Sequence, residues 1–331
     1  MHALRRNSVP LVVIVLLLAF PLATTGFYLE FTAKVMILAI FALSLELLVG
    51  ATGLVSLGHA AFFGIAAYAT VLLSPQYGAA NLFWLLPATI ACSAVYAFAV
   101  GALSLRTKGV YFIMVTLAFA QMAYYVLHDT ELGGGTDGIY LNVRPEVALF
   151  GMRFVDLGKP VVLYYFVLAC LLLVFVFLAV LLRSRFGRVL AGIKSNEQRM
   201  RAAGFATFPY KWAAFTLAGA LAGLAGFLVA VKDGFVNPEM LSWHESGAVL
   251  LMLILGGMGR LSGAVLGAFA FALLQLFFQW DVVFGNFARH WQLLLGGTII
   301  LCVALMPNGL IGIPAQWRAW RIRRTSVAAH G

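Results

Sequence analysis

Apolar runs of about 20 residues recur along this 331-residue chain. Each has the length a helix needs to cross a hydrocarbon core at ~1.5 Å per residue. None shows the strict apolar–polar alternation that the spanning strands of a barrel require. The pattern therefore predicts an all-α, polytopic transmembrane bundle of about ten spans, with eight to ten as the range. These run approximately over 10–29, 33–50, 54–74, 82–105, 109–127, 161–182, 210–231, 246–259, 261–279 and 291–306. The eighth is short, so 246–279 reads alternatively as one span plus a re-entrant piece. The whole of 1–331 reads as one membrane domain, with 1–9, the loop 183–211 and the basic tail 307–331 outside the bilayer.

Composition leaves little room for a soluble reading. Hydrophobic residues make up 63% of the chain and charged residues only 10%, whereas a soluble domain carries about a quarter charged residues. Arg5 and Arg6 precede the first run, which reads as a spanning helix; a signal peptide cleaved after about Ala23 is the alternative. Cys92, Cys170 and Cys302 all fall within apolar runs, so neither a disulfide nor a metal site is expected.

Charge sets the orientation. Placing both termini inside puts Arg5, Arg6, Arg106, Lys108, the seven cations of 183–211, Arg260, Arg318, Arg321, Arg323 and Arg324 on the cytoplasmic side, 16 of 22 basic residues. Ten of the 12 acidic residues fall outside. The net charge of +10 is thus a topology signal of the positive-inside kind, and nucleic acid is not an expected partner.

The chemistry of sites is sparse. No G-x-x-x-x-G-K-[ST] run is present, so the chain is not expected to bind ATP through a P-loop. No His, Cys and carboxylate cluster has metal spacing, no Ser/His/Asp order suggests a hydrolase, and no cofactor is expected. An enzyme is not indicated.

Two places interrupt the apolar pattern with glycine. At 50–64, Gly50, Gly53 and Gly58 flank Ser56 and precede His59; at 256–263, Gly256, Gly257, Gly259 and Gly263 crowd eight residues. Each suggests a broken helix, tolerated in a membrane only against protein or a water-filled path. The two segments could be counterparts in an internal repeat. Gly259, Gly263 and Gly267 also form a small-residue stripe, as do Gly219 and Gly223, and such stripes serve close helix packing. Glu46 lies inside a span, where an unpaired carboxylate is expensive; His59, Arg106 or a backbone amide could satisfy it. Glu46, Ser56, His59, Thr116 and Gln121 are the candidates for lining a translocation path, with a structural role at a helix end open for Glu46.

The loop 183–211 is the one long cationic interruption, with seven Lys or Arg and the single acid Glu197. Ser195-Asn196-Glu197-Gln198 fits a capping box with Ser195 as N-cap, and Gly204 supplies a stop, which predicts a short helix over 196–203. A helix that short needs a surface to pack on, either its own bundle, a partner or the lipid headgroups.

Several segments carry a resemblance. GLVSLGHAAFFGIAAYA at 53–69, GGTDGI at 134–139, the run from Phe186 to Gly226, FVNPEM at 235–240 and LLMLILGGMGRLSGAVLGA at 250–268 are similar to the M-type permease subunit of bacterial branched-chain amino-acid ABC importers. Arg199, Arg201, Arg260 and Ala66 depart from the usual residues. The resemblance implies a bacterial inner-membrane permease without its own ATPase site. Its partners would be a second related permease, two cytoplasmic ATP-binding subunits and a periplasmic solute-binding protein. It also implies that Gly187, Arg188, Ser195, Asn196, Glu197, Gln198, Ala203 and Gly204 belong to the element that docks on an ATPase. A permease for another small solute such as urea, and an ion-coupled transporter using Glu46 or His59, remain as alternatives.

Overall fold

A computed structural model of the chain describes residues 17–21, 24, 26–149, 152–306 and 309–312. Half of the first expected span, the signal-peptide question and most of the basic tail lie outside the described residues. Twelve α-helices can be labelled among these residues from Phe27 onward: α1 Phe27–Thr52, α2 His59–Leu72, α3 Leu82–Ser104, α4 Val110–Asp129, α5 Pro160–Arg183, α6 Arg185–Ser195, α7 Glu197–Ala202, α8 Thr207–Asp233, α9 Trp243–Gly256, α10 Leu261–Phe278, α11 Asp281–Phe284 and α12 Trp291–Leu305. Seven helical stretches are long and apolar enough to cross a membrane, namely α1, α3, α4, α5, α8, α10 and the run 288–312 around α12.

One expected span is shorter than the sequence implied, and another keeps its length but is displaced by three residues. The run 54–74 forms a helix only from His59, and 246–259 becomes Trp243–Gly256. Each has 14 residues, or ~21 Å of helix, against a hydrocarbon core of ~30 Å. The cause of the first lies in Gly53, whose φ of +76° ends α1 in the left-handed region. Residues 53–58 then run non-helically through the protein. The segment 246–279 is a hairpin of α9 and α10, with turn residues Gly257 and Gly259 at φ +107° and +87°.

Helices α1 and α8 form the centre. Helix α1 is apolar on every side, so it buries on every side, and the unbroken run from Val35 to Val49 is buried except for half-buried Leu38. Helix α8 carries small residues at close spacing, which lets neighbouring backbones approach without the penalty of interposed side chains. An added Cβ at Gly219 would stand 2.2 Å from Ala97 Cβ, at Gly223 2.6 Å from Ser93 Cβ, and at Gly226 1.9 Å from the Phe63 carbonyl oxygen. Ser93 of α3 sits in this seam, its hydroxyl 2.9 Å from the Phe62 carbonyl and 2.8 Å from that of Gly219. One side chain thus ties three helices together.

At one end of the bundle the long connection 130–159 meets the α8–α9 connection. Strands β1 (Ile139–Tyr140) and β4 (Phe235–Val236) pair antiparallel with Ile139 opposite Val236, and β2 (Glu146–Leu149) pairs with β3 (Met152–Asp156). Leu141 N–H donates to Gly234 O, and Arg144 donates to the carbonyls of Gly158 and Lys232. The cationic loop lies at the other end, between α5 and α8.

Candidate functional site

The first constellation surrounds the start of α2. Because that helix begins inside the protein, its leading N–H groups need partners away from water. Ser246 of α9 supplies one, its hydroxyl accepting from Ala60 N–H at 2.9 Å. His59, the first residue of α2, is fully buried; its Nε2 lies 2.8 Å from Ser44 Oγ of α1, and its Nδ1 has no protein partner. Phe41 stacks on the imidazole at 5.5 Å and Phe62 meets it edge-on at 5.6 Å. Ser56 is buried and accepts from Gly58 N–H at 3.2 Å. Gly58 itself is pressed against α4, where an added Cβ would lie 2.1 Å from the Thr116 carbonyl oxygen. Ser56, His59 and Thr116 therefore come together across a few ångströms of backbone, joined by Ser44 and Ser246, which the sequence reading did not single out. Ser44 is a lone serine in an apolar run, whereas Ser246 follows Ser242, His244 and Glu245 and is masked by those polar neighbours. Gln121 is half-buried, five residues beyond Thr116 on α4.

Glu46 is not part of that group. The carboxylate is buried at the far end of α1, folds back over Gly50 (an added Cβ there would be 2.0 Å from Oε1) and faces the backbone amides of Gly259 and Arg260. Of the partners considered for it, backbone amides are the ones present; the His59 ring is engaged by Ser44. The cation whose charge reaches it is Lys194 of α6, whose Nζ donates to the Gly50 carbonyl at 2.7 Å.

The second constellation is the cationic loop, which holds two helices where one was expected. Helix α6 is amphipathic: Phe186, Val189, Leu190 and Ile193 recur at helical spacing, and Leu190 and Ile193 are buried with Gly187. Ser184 Oγ caps it by accepting from Gly187 N–H at 3.5 Å. The box centred on Ser195 is corrected: Ser195 is the last residue of α6 and its hydroxyl donates to Gly192 O. Asn196 is the N-cap of α7, its Oδ1 accepting from Arg199 N–H at 2.9 Å. The helix accordingly spans 197–202, one residue inside the expected range at each end. An amide oxygen serves as well as a hydroxyl here, and Ser195 is already consumed by the preceding helix.

Gly204 stops α7 with φ +87°. Gly204 N–H donates to Arg201 O and Phe205 N–H to Met200 O, the paired bonds of a Schellman ending. Glu197 secures the unit to α8: its Oε1 accepts from Arg201 at 2.6 Å, from Thr207 Oγ1 at 2.9 Å and from Lys211 Nζ at 2.9 Å. Burial would raise the pKa of this carboxyl, but hydrogen bonds from Lys211, Thr207 and Arg201, with the Lys211 charge, outweigh it and hold the value at about 2. Arg188, Gln198, Ala203 and Gly204 stay exposed. Glu197 is therefore an internal strut, and the outward face is carried by its neighbours.

Among the packing glycines, Gly263 and Gly267 of α10 face the backbone of α9 and of the turn after it: an added Cβ would lie 2.3 Å from Gly257 O and 1.9 Å from Met252 O respectively. Gly256 meets them from the other side, where an added Cβ would lie 1.9 Å from Gly263 O. Gly259 has open space around it and acts in the turn, so the stripe on this seam runs through Gly256 in its place. Among the described residues no group of three or more His, Cys, Asp or Glu is placed to hold a metal ion.

The same chain can be compared with known proteins. A family model described as the branched-chain amino acid transport system / permease component matches residues 27–304. The high-affinity branched-chain amino acid transport system permease protein LivM of Salmonella typhimurium is 32% identical over 90% of this chain and 73% of its own length. Its namesake in Escherichia coli K12 is 31% identical over the same shares. The autoinducer 2 import system permease protein LsrC of Klebsiella pneumoniae is 31% identical over 39% of this chain and 38% of its own. No solved structure gives a significant match.

Proposed function

The chain belongs to the branched-chain amino acid transport permease family, and on that premise we propose that it forms part of the translocation path of an importer for branched-chain or related amino acids. In this reading it sits in a bacterial inner membrane with both termini in the cytoplasm. It works with a second homologous permease, two cytoplasmic ATP-binding subunits and a periplasmic solute-binding protein. As a permease component it is a transporter and not an enzyme; ATP hydrolysis belongs to the separate subunits.

The observation that carries the proposal is the α6–α7 unit. Two capped helices, latched to α8 through Glu197, leave Arg188, Ser195, Asn196, Gln198, Ala203 and Gly204 exposed, while buried Gly187 closes the first turn of α6. This is a built docking surface. A slack loop would not hold a buried lysine against a carboxylate. Alternating access requires only that the ATP-binding subunits contact two arrangements of the bundle differently. Ser56, His59, Thr116 and Gln121 then mark the path between α1, α2, α4 and α9. The paired loops at the opposite end, carrying Asp137, Asp233 and Glu239, would receive the binding protein by charge complementarity.

The test is purification of the full-length chain from native membranes with identification of what accompanies it, followed by leucine uptake into vesicles. A second permease, ATP-binding subunits and ATP-dependent uptake are expected. Purified chain that moves leucine unaided, or uptake that survives ATP depletion and collapses with the ion gradient, overturns the proposal.

A further inference from the structure

We infer that Lys194 and Glu46 form the mechanical link between the cytoplasmic loop and the membrane core, so that motion of α6–α7 reaches the α9–α10 turn through the end of α1. This rests on the coupling role proposed above for the loop.

The link is continuous and short. Met200 of α7 presses on Gly192 of α6, where an added Cβ would lie 2.7 Å from its Sδ. Two residues on, Lys194 reaches out of α6 to the Gly50 carbonyl, one of the last carbonyls of α1 and therefore without an intrahelical partner. Its stem lies over Gly53, where an added Cβ would be 3.3 Å from Lys194 Cγ. Beneath it, Glu46 covers Gly50 on one side and faces the amides of Gly259 and Arg260 on the other. That turn is clamped in its own right: an added Cβ at Gly309 would stand 2.4 Å from Gly257 N.

At Gly192, Gly50, Gly53 and Gly309 a glycine removes the side chain that could otherwise flex. Close-packed backbone transmits displacement where a flexible side chain would absorb it. Lys194 supplies the one long arm, and a cation at a helix C-terminus is held by the carbonyls and the helix dipole. Glu46 has an unpartnered Oε2, a costly arrangement in an apolar span that structural capping alone does not require.

The test uses the assembled complex in vesicles, comparing Lys194→Met, Lys194→Arg, Glu46→Gln and the double variant Lys194→Met/Glu46→Gln. Lys194→Met is expected to keep the ATP-binding subunits and their basal hydrolysis but to lose uptake per ATP by about tenfold, an ordinary coupling effect. Lys194→Arg is expected to restore most of it, and the double variant to lose no more than the worse single one. Uptake per ATP within about twofold of wild type in Lys194→Met, additive losses in the double variant, or loss of the ATP-binding subunits would each overturn the link. If wild-type complex shows no ATP-dependent uptake, the coupling reading itself fails, which is a separate outcome.

Discussion

Ser44 on α1 holds His59 Nε2 at 2.8 Å, at the point where α2 begins inside the protein. Two serines, Ser44 and Ser246, thus serve the first two residues of a helix that starts away from solvent. Replacing Ser44 with Ala leaves both nitrogens of a fully buried ring without a protein partner and should cost about 1–3 kcal/mol. The double variant Ser44→Ala/His59→Phe removes both polar groups and keeps the aromatic stack, so most of that stability should return. Thermal unfolding in detergent checks this, and equal losses in the two variants would show the pairing to be irrelevant.

The cap of α7 separates two adjacent residues. Asn196→Ala removes the acceptor for Arg199 N–H and should destabilise the loop by about 1 kcal/mol. Ser195→Ala, which removes only a local bond to Gly192 O, should cost no more than about half of that. Amide hydrogen exchange over 197–205 reports the difference directly. The reverse order would reinstate Ser195 as the cap.

Glu197 should fail differently. Glu197→Ala strands Lys211, which is only 7% exposed in its side chain. The loss should be about 1–3 kcal/mol, below that for breaking a fully buried pair because the carboxylate keeps some contact with water. Its pH dependence has a definite sign. The folded carboxyl titrates near 2 against an ordinary 4.5, so its stabilisation is complete above about 4.5 and is lost as pH falls toward about 2. Protection factors for 197–205, corrected for intrinsic exchange, should therefore fall over that window in wild type and stay flat in Glu197→Gln.

Glycines divide into seam and surface. Gly226→Ala would drive a methyl to within 1.9 Å of the Phe63 carbonyl oxygen and should cost about 1–3 kcal/mol or more. Gly219→Ala, which meets a methyl of Ala97 and no backbone atom as nearest neighbour, should fall at the low end of that range. Gly296→Ala and Gly297→Ala meet nothing within 4 Å and should be neutral or mildly stabilising. Yields of folded protein and thermal midpoints rank the series; equal behaviour of Gly226 and Gly296 variants would contradict the packing described.

How much of this was legible in the chain depends on distance. The long spans were, because a run of apolar residues the thickness of a bilayer has few other uses. The break at Gly53–Gly58 was marked by its glycines, but its length was not. Nothing in Val55-Ser56-Leu57 forbids a helix, and it is Gly58 packed on α4 and the bonds to Ser44 and Ser246 that fix where α2 starts. Helix α6 did carry a signal, since Phe186, Val189, Leu190 and Ile193 have helical spacing; the surrounding cations obscured it. Asn196 and Ser195 are equally good caps in isolation, so only the end of α6 decides between them. The reach of Lys194 to Gly50 spans 144 residues of sequence, and no local pattern announces a contact of that kind.

The small ladder of Ile139 and Tyr140 with Phe235 and Val236 buckles the far ends of α4 and α8 to a common strap. Arg144 tightens it by gripping the last turn of α8 at Lys232 O. Whatever presses on one of those loops must carry the other, so that mouth of the bundle yields as a unit or stays shut.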